Sequence, residues 1–428
     1  MTRLMAPTDD EWCREVPEEW DYLPLRRVGV LVGGSTPPAS DENWDGSIPF
    51  VTPPDLRPVT GGSIGSTLRS LTAAGASTGS SIVSEGSVLL SIRAPIGYVA
   101  RTEMATAFNQ GCRAIVPSAS MNARYLTYAL VAGEQELDAQ GRGTTFMELS
   151  SAQMATIRIP VPPLIEQRAI ADFLDRETAR IDTLLEEQQR LIELLSERRT
   201  STVFWATTRG LDSSVVLADN GLEWCNETPE VWGVKALRRY GTFVTGSTPS
   251  TDNVGNFEDS PNGKPWVRPQ DLSPDTVASA WLSDQGWGDL RAVPAGSVLV
   301  GCIAYSLGSV GYLNVAATTN QQITSIIPDE HGRYLYYLMA AARDELWASS
   351  QMNRVPILNN QRLGAIHVPA PPVDEQRRIA AYLDEQTAKI DALIAESERF
   401  IELSRERRSA LITAAVTGQI DVRDEVAS

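Results

Sequence analysis

The chain has 428 residues, too many for one ordinary domain and enough for two or three with real cores. Its hydrophobic content of 42% excludes a disordered polymer, and no apolar run approaches the roughly 20 residues needed to cross a bilayer. The net charge of −17 lacks the basic excess common in nucleic-acid binders, so charge alone leaves DNA binding open and weakly disfavoured.

The chain begins MTRLMAPTDDEW, which has no apolar stretch of the kind a secretory signal carries, and the expected compartment is the cytoplasm. Cys13, Cys112, Cys225 and Cys302 form no CxxC pair, and the only histidines are His331 and His367. A zinc site built from local ligand pairs is therefore not expected, and isolated thiols are. Nearly all cations are arginine, since the only lysines are Lys235, Lys264 and Lys389. Arginine forks onto guanine or phosphate in ways lysine does not.

Through about residue 155 the predicted elements are short strands and turns. STPPAS, TPPD and GGS carry turn chemistry, and SEGSVLLSI, with Gly86 near its start, is an apolar β-prone run. A helix is predicted around YLTYALVAGEQEL. Pro160, Pro162 and Pro163 then stop what precedes and permit a helix start. Beyond them Ile170, Leu174, Ile181, Leu184, Leu191 and Leu195 recur at helical spacings, with no Gly or Pro before Gly210.

From there the chain starts over. EWCREVPEEW from Glu11 returns as EWCNETPEVW from Glu223, and LRRVGVLVGGSTP from Leu25 as LRRYGTFVTGSTP from Leu237. IPFVTPPDL from Ile48 matches KPWVRPQDL from Lys264, and EGSVLLSI from Glu85 matches AGSVLVGC from Ala295. FNQGCRAIVP from Phe108 echoes TNQQITSIIP from Thr319, and a second helix is predicted around YLYYLMAAARDEL. Finally PPLIEQRAIADFLD from Pro162 becomes PPVDEQRRIAAYLD from Pro371, with Ile379, Leu383, Ile390, Leu393 and Phe400 repeating the stripe. The period is far longer than that of a solenoid, so a whole module is duplicated.

Each long helix covers about 40 residues, hence about 60 Å, and alone would expose its stripe. Its own copy is the natural partner, and two-fold-related copies pair antiparallel, as a rigid spacer with a domain at either end. Thr178, Gln188, Thr387 and Ser397 interrupt the stripe and are expected to fix its register.

These motifs resemble the specificity subunit of type I restriction-modification enzymes, over essentially the whole chain and in duplicated order. The helical motif lies at Pro162–Asp175 and Pro371–Asp384, GSTP at Gly34–Pro37 and Gly246–Pro249, and the NQ turn at Asn109–Gly111 and Asn320–Gln321. Gln322 stands where the first copy has Gly111, so the second turn is expected to differ. The implied fold is α+β: a tandem duplication of an α/β target recognition domain followed by a long helix, the two helices pairing as an antiparallel coiled coil. The implied boundaries are residues 1–155 and 211–364 for the recognition domains. Residues 156–210 would form the first spacer helix, and 365–428 the second with a tail.

The resemblance implies a non-catalytic subunit that reads a bipartite, asymmetric site in double-stranded DNA. Two methyltransferase subunits, and two restriction subunits where present, would dock on it. S-adenosylmethionine, ATP and Mg would belong to those partners and not to this chain. Base reading calls for Arg, Asn, Gln, Ser or Thr presented from loops. The candidates in the first half are Ser35, Thr36, Arg57, Arg69, Arg93, Asn109, Gln110, Arg142 and Thr144. In the second half they are Ser247, Thr248, Lys264, Arg268, Gln270, Asn320, Gln321 and Arg354. GSTP and NQ recur, which favours a structural turn or phosphate contact, whereas Arg57, Arg93 and Arg268 differ between copies and suit specificity. Glu166, Gln167, Arg168, Glu375, Gln376 and Arg377 recur at the helix starts and are the candidates for partner docking.

Catalytic signatures fail on inspection. TPPD and STPP lack the acid or amide and the aromatic of an adenine methyltransferase motif, and Gly263–Lys264 is followed by Pro265, which rules out a phosphate loop. A coiled-coil scaffold that does not touch DNA is the rival class; divergent loops on repeated frames favour the reader.

Overall fold

Val88–Ser91 (β2) is buried along its whole length, and alternation explains how. Val88 and Leu90 point into one apolar cluster with Ile92, while Leu89 points into another with Ala100, Cys112 and Ala114. Val298–Gly301 (β5) repeats the arrangement: Val298 and Val300 face one core and Leu299 the other. A strand covered on both faces belongs in the middle of a sheet, and each lies there.

The computed structural model describes residues 3–141, 148–259, 262–288, 290–351 and 354–422. The chain divides into two compact units, Met1–Gln188 with Arg399–Ser428, and Gln189–Glu398. In the first, Gly29–Gly33 (β1), Cys112–Pro117 (β3), β2, Val99–Thr102 and Ser63–Ile64 form a sheet in that order, antiparallel except for the last pair. A second sheet places Trp44–Val51 parallel to Thr106–Phe108. In the second unit Gly241–Thr245 (β4), Ile323–Pro328 (β6), β5 and Val310–Tyr312 form an antiparallel sheet. Lys264–Val267 lies parallel to Thr318–Thr319.

One helix packs on each sheet, Ala123–Ala132 (α1) and Gly332–Ala341 (α3). Asn122 caps α1 by accepting from the Tyr125 N–H at 3.1 Å; His331 caps α3 by accepting at Nδ1 from the Tyr334 N–H at 3.3 Å.

The long helices run Leu164–Arg209 (α2, 46 residues) and Val373–Val416 (α4, 44 residues). The residues just before them, Arg158–Val161 and His367–Ala370, are strands paired with their own domains, to Asp21–Pro24 and Gly233–Ala236. Both helices contribute to both units. In the first, Ile170, Ala171, Phe173 and Leu174 of α2 share a core with Ile412, Ala415 and Val416 of α4. In the second, Val203 and Ala206 of α2 share a core with Ile379, Ala380 and Leu383 of α4. The helices are antiparallel within each unit, where one ion pair links them: Arg408 to Asp182 at 3.0 Å, and Arg199 to Asp391 at 2.8 Å. Both acids and both arginines are related by the repeat offset of 209.

Candidate nucleic-acid interface

One end of each principal sheet gathers the repeated polar motifs. β1 ends at Gly33, which pairs with Arg113 at the start of β3, and Cys112 pairs with Ser91 at the end of β2. The GSTP and NQG segments therefore emerge side by side, and Gly34 allows their approach: a Cβ there would lie 1.9 Å from the Asn109 carbonyl oxygen. Gly246 is required in the same way, 2.2 Å from the Asn320 oxygen. Ser35 N–H donates to Phe108 O at 3.0 Å, and Ser247 N–H to Thr319 O at 2.8 Å.

Side chains close the contact. Thr36 Oγ1 donates to Gln110 Oε1 at 2.6 Å, and Thr248 Oγ1 donates to Gln321 Oε1. Asn109 Oδ1 accepts from Gly111 N–H at 2.9 Å, and Asn320 Oδ1 from Gln322 N–H at 3.1 Å. The second turn thus does not differ, contrary to the expectation from Gln322. Gly111 has no positive φ, so the backbone conformation of this turn is one that glutamine can also adopt. Both glutamines are exposed, with the amide oxygen held by the threonine.

The positions beside these motifs differ between units. In the first, Arg93 follows Ile92, whose N–H donates to Gly111 O, and exposed Arg93 pairs through Nε with half-buried Glu148 at 3.2 Å. In the second, Ile303 and Ile357 occupy the same two places and bridge in the same way. A further pair changes likewise: Arg113 Nε donates to Ser151 Oγ at 3.0 Å, while Thr324 Oγ1 donates to Asn360 Oδ1 at 2.8 Å. Glu148, Arg113, Ser151, Thr324 and Asn360 were not singled out by motif; aligning the two repeats around Arg93, with offsets of 209 to 211, would have found them.

The other candidates scatter. Arg57 is exposed at the end of the short helix Pro53–Leu56, beyond Val51, whose carbonyl accepts from Asn109 N–H. Arg69 lies over the Trp44 ring at 3.6 Å. Arg268 follows Val267, whose carbonyl accepts from Asn320 N–H, and donates to Ser279 Oγ at 2.7 Å; Gln270 is exposed nearby. Lys264 begins that strand at its far end and pairs with Asp284 at 2.8 Å. Arg354 is exposed, and Arg142 and Thr144 lie outside the described residues.

The helix-start candidates have internal roles. Glu166 is buried, accepts from Trp20 Nε1 at 3.0 Å and pairs with Arg3. Gln167 is fully buried: its Oε1 accepts from Asn122 N–H at 2.7 Å, and its Nε2 donates to Pro162 O at 2.8 Å. Glu375 accepts from Trp232 Nε1 at 2.9 Å, and Gln376 Nε2 donates to Glu330 Oε2 at 2.5 Å. These four bind helix to domain, which accounts for their recurrence without a partner. Arg168 and Arg377 remain exposed. Thr178 and Thr387 likewise donate to Leu174 O and Leu383 O and face Tyr128 and Tyr337 of α1 and α3.

Cys13, Cys112, Cys225 and Cys302 are free and buried, and burial pushes the Cys13 and Cys225 thiols up to about 12. Among the described residues, no group of three or more His, Cys, Asp or Glu is placed to hold a metal ion, and no helix is long and apolar enough to cross a membrane.

Comparison with known proteins agrees with this frame. The family model described as the type I restriction modification DNA specificity domain matches twice, over residues 17–194 and 229–402. The chain belongs to this family. It is 34% identical over 188 residues to the type I restriction enzyme MjaIX specificity subunit of Methanocaldococcus jannaschii, which is 43% of this chain and 42% of that protein. It is 23% identical over 276 residues to the EcoR124I/EcoR124II specificity subunit of Escherichia coli, 60% of this chain and 62% of that one. The chain thus spans less than two thirds of either relative's length in these matches. Its fold is similar, with a TM-score of 0.75 at 17% identity, to a chain from work on complex assembly and conformational transition of the type I R-M system. That likeness covers 95% of this chain and 99% of the other.

Proposed function

We propose that this chain is the non-catalytic DNA-specificity subunit of a type I restriction-modification complex, reading a bipartite, asymmetric site. The observation that carries the reading is one sheet end built twice with two surfaces. Residues that recur there, the threonine–glutamine pairs, give each unit the same exposed amide, suited to a feature both half-sites share, such as phosphate. Residues that differ there, Arg93 with Glu148 against Ile303 with Ile357, suit unlike bases. Ser35, Asn109, Ser247 and Asn320 shape the turns; Arg57, Arg69, Arg113, Arg268, Gln270 and Arg354 are the further side chains we assign to DNA, with Lys264 least favoured by its position. With a net charge of −17, affinity comes from these local patches and from partner subunits.

Each unit is proposed to carry one methyltransferase subunit, and a restriction subunit where the complex has one. Leu184, Phe400 and Leu403 are 37–52% exposed in the first unit, and their repeat equivalents Leu393, Leu191 and Leu194 are 41–49% exposed in the second. An apolar patch met twice, with exposed Arg168 or Arg377 on the same helices, fits a partner bound twice. S-adenosylmethionine, ATP and Mg are placed in those partners, and the complex in the cytoplasm with its DNA. The reading is tested by co-expressing the chain with its methyltransferase and sequencing the methylome. Two short, different blocks at a fixed gap are expected; methylation at a contiguous site, or none, sinks it.

A further inference from the structure

The second unit ends its sheet with an aromatic ring held out in solvent. After Gly301 the chain folds back as a tight turn, in which Ala304 N–H donates to Pro356 O at 3.0 Å and Gly308 N–H to Gly301 O at 3.0 Å. Ser306 Oγ donates to Ile303 O at 2.7 Å. Gly301 permits the closure, since a Cβ there would lie 2.1 Å from the Ser306 carbonyl oxygen. Ala304 takes a φ of 54°, a conformation that non-glycine residues adopt rarely and that tends to persist at functional positions. Ser306 and Leu307 are buried, whereas Tyr305 between them and Ala304 is 74% exposed.

This turn adjoins the candidate interface. Cys302 N–H donates to Gln322 O at 2.8 Å, which sets the turn beside Asn320 and Gln321. Ala304 is bonded to Pro356, and the residues on either side of Pro356, Val355 and Ile357, are 43% and 40% exposed, so the turn that carries Tyr305 runs beside exposed apolar side chains. The first unit offers the ion pair Arg93–Glu148 where the second has Ile303 and Ile357. An exposed apolar group fixed on a rigid turn, beside exposed amides, fits the one apolar feature a base pair shows in the major groove, the thymine methyl. The backbone of the turn is already fixed, so contact has only the two side-chain torsions of the ring left to order.

We propose that Tyr305, flanked by Val355 and Ile357, determines specificity in the second half-site by packing on the 5-methyl group of a thymine. The proposal rests on the DNA-reading function above. To test it, the complete complex with its methyltransferase subunits is titrated against duplexes carrying the site found in the methylome. Each thymine of the second half-site is replaced in turn by deoxyuridine, which lacks only the methyl. One replacement should weaken wild-type binding about fourfold, the worth of one buried methyl. Tyr305→Ala should weaken binding to the thymine duplex at least as much and abolish the difference between thymine and uracil. Tyr305→Phe should keep both, and neither variant should change the thermal midpoint, because the ring is exposed.

A half-site without thymine overturns the proposal, as does a Tyr305→Ala complex that still discriminates, or wild type indifferent to uracil at every position. In each of those cases the wild-type complex still binds its bipartite site. If it binds no defined site at all, the DNA-reading function fails, and this proposal with it.

Discussion

Glu166 and Glu375 occupy the same place in the two repeats, and their surroundings give them different weights. Glu166 is buried with Arg3 and with the Trp20 indole, so its removal leaves the buried Arg3 guanidinium with only the half-exposed Glu19, at 3.0 Å, as an ion-pair partner. Glu375 is half-buried with the Trp232 indole. Breaking a buried ion pair from one side costs about 3–5 kcal/mol, whereas losing a hydrogen bond to a charged group costs about 1.5–3 kcal/mol. Urea unfolding should therefore show Glu166→Ala losing more stability than Glu375→Ala, with the gap narrowing when Arg3→Ala is combined with the former. Equal losses would mean that the arginine carries no weight. The same scale explains why spacing alone left the glutamates and glutamines of the repeated motif ambiguous. Recurrence says that Gln167 and Gln376 are needed twice; it does not say that both amides turn inward onto Pro162 and Pro371.

Among the elements, α1 and α3 are the same helix with different caps. Asn122 accepts from its helix at any ordinary pH, but His331 accepts only while neutral. Burial holds the His331 pKa below the usual 6.5, Arg377 lowers it further, and Asp384 opposes both. A histidine whose folded pKa is depressed gives stability that is present above the unfolded value and lost as pH falls through the folded one. Unfolding of the second unit should therefore grow easier as pH drops below about 6.5, while His331→Asn, the residue of the first repeat, should remove that dependence. Thermal scans between pH 5 and 8 decide this; an unchanged slope in the variant refutes it.

The elements also show how far sequence reaches. The duplication, the strand SVLL and the two long helices were legible because apolar period and turn chemistry are local properties. What covers an apolar stripe is not local. Ile170 and Leu174, read as a seam between helices, share one core with their own domain as well as with α4, and Thr178 and Thr387 answer to Tyr128 and Tyr337. The sheet end behaved likewise: Arg93 was legible as a position that differs, but Glu148 and Tyr305 gain meaning only once strand pairing brings them there.

For the whole molecule, the long helices are continuous, and each supplies residues to both units. If the helices set the distance between two half-sites, lengthening them alters the gap and leaves the blocks intact. Four residues inserted into both α2 and α4, after Gln188 and Ser397, add about 6 Å to each. The methylome should then show the same two blocks with about one to two more base pairs between them, at 3.4 Å per step. A changed block sequence would refute the division of labour between helix and domain.

The division into units also sets an order of events during synthesis. Residues 189–398 are contiguous, so the second unit can close as soon as Glu398 has left the ribosome. The first has its sheet and α1 far earlier, yet Ile170 and Leu174 must wait for Ile412, Ala415 and Val416, more than two hundred residues later. The part made first is thus the part finished last, and throughout that interval its unfinished apolar seam is the surface of the nascent chain most in need of protection.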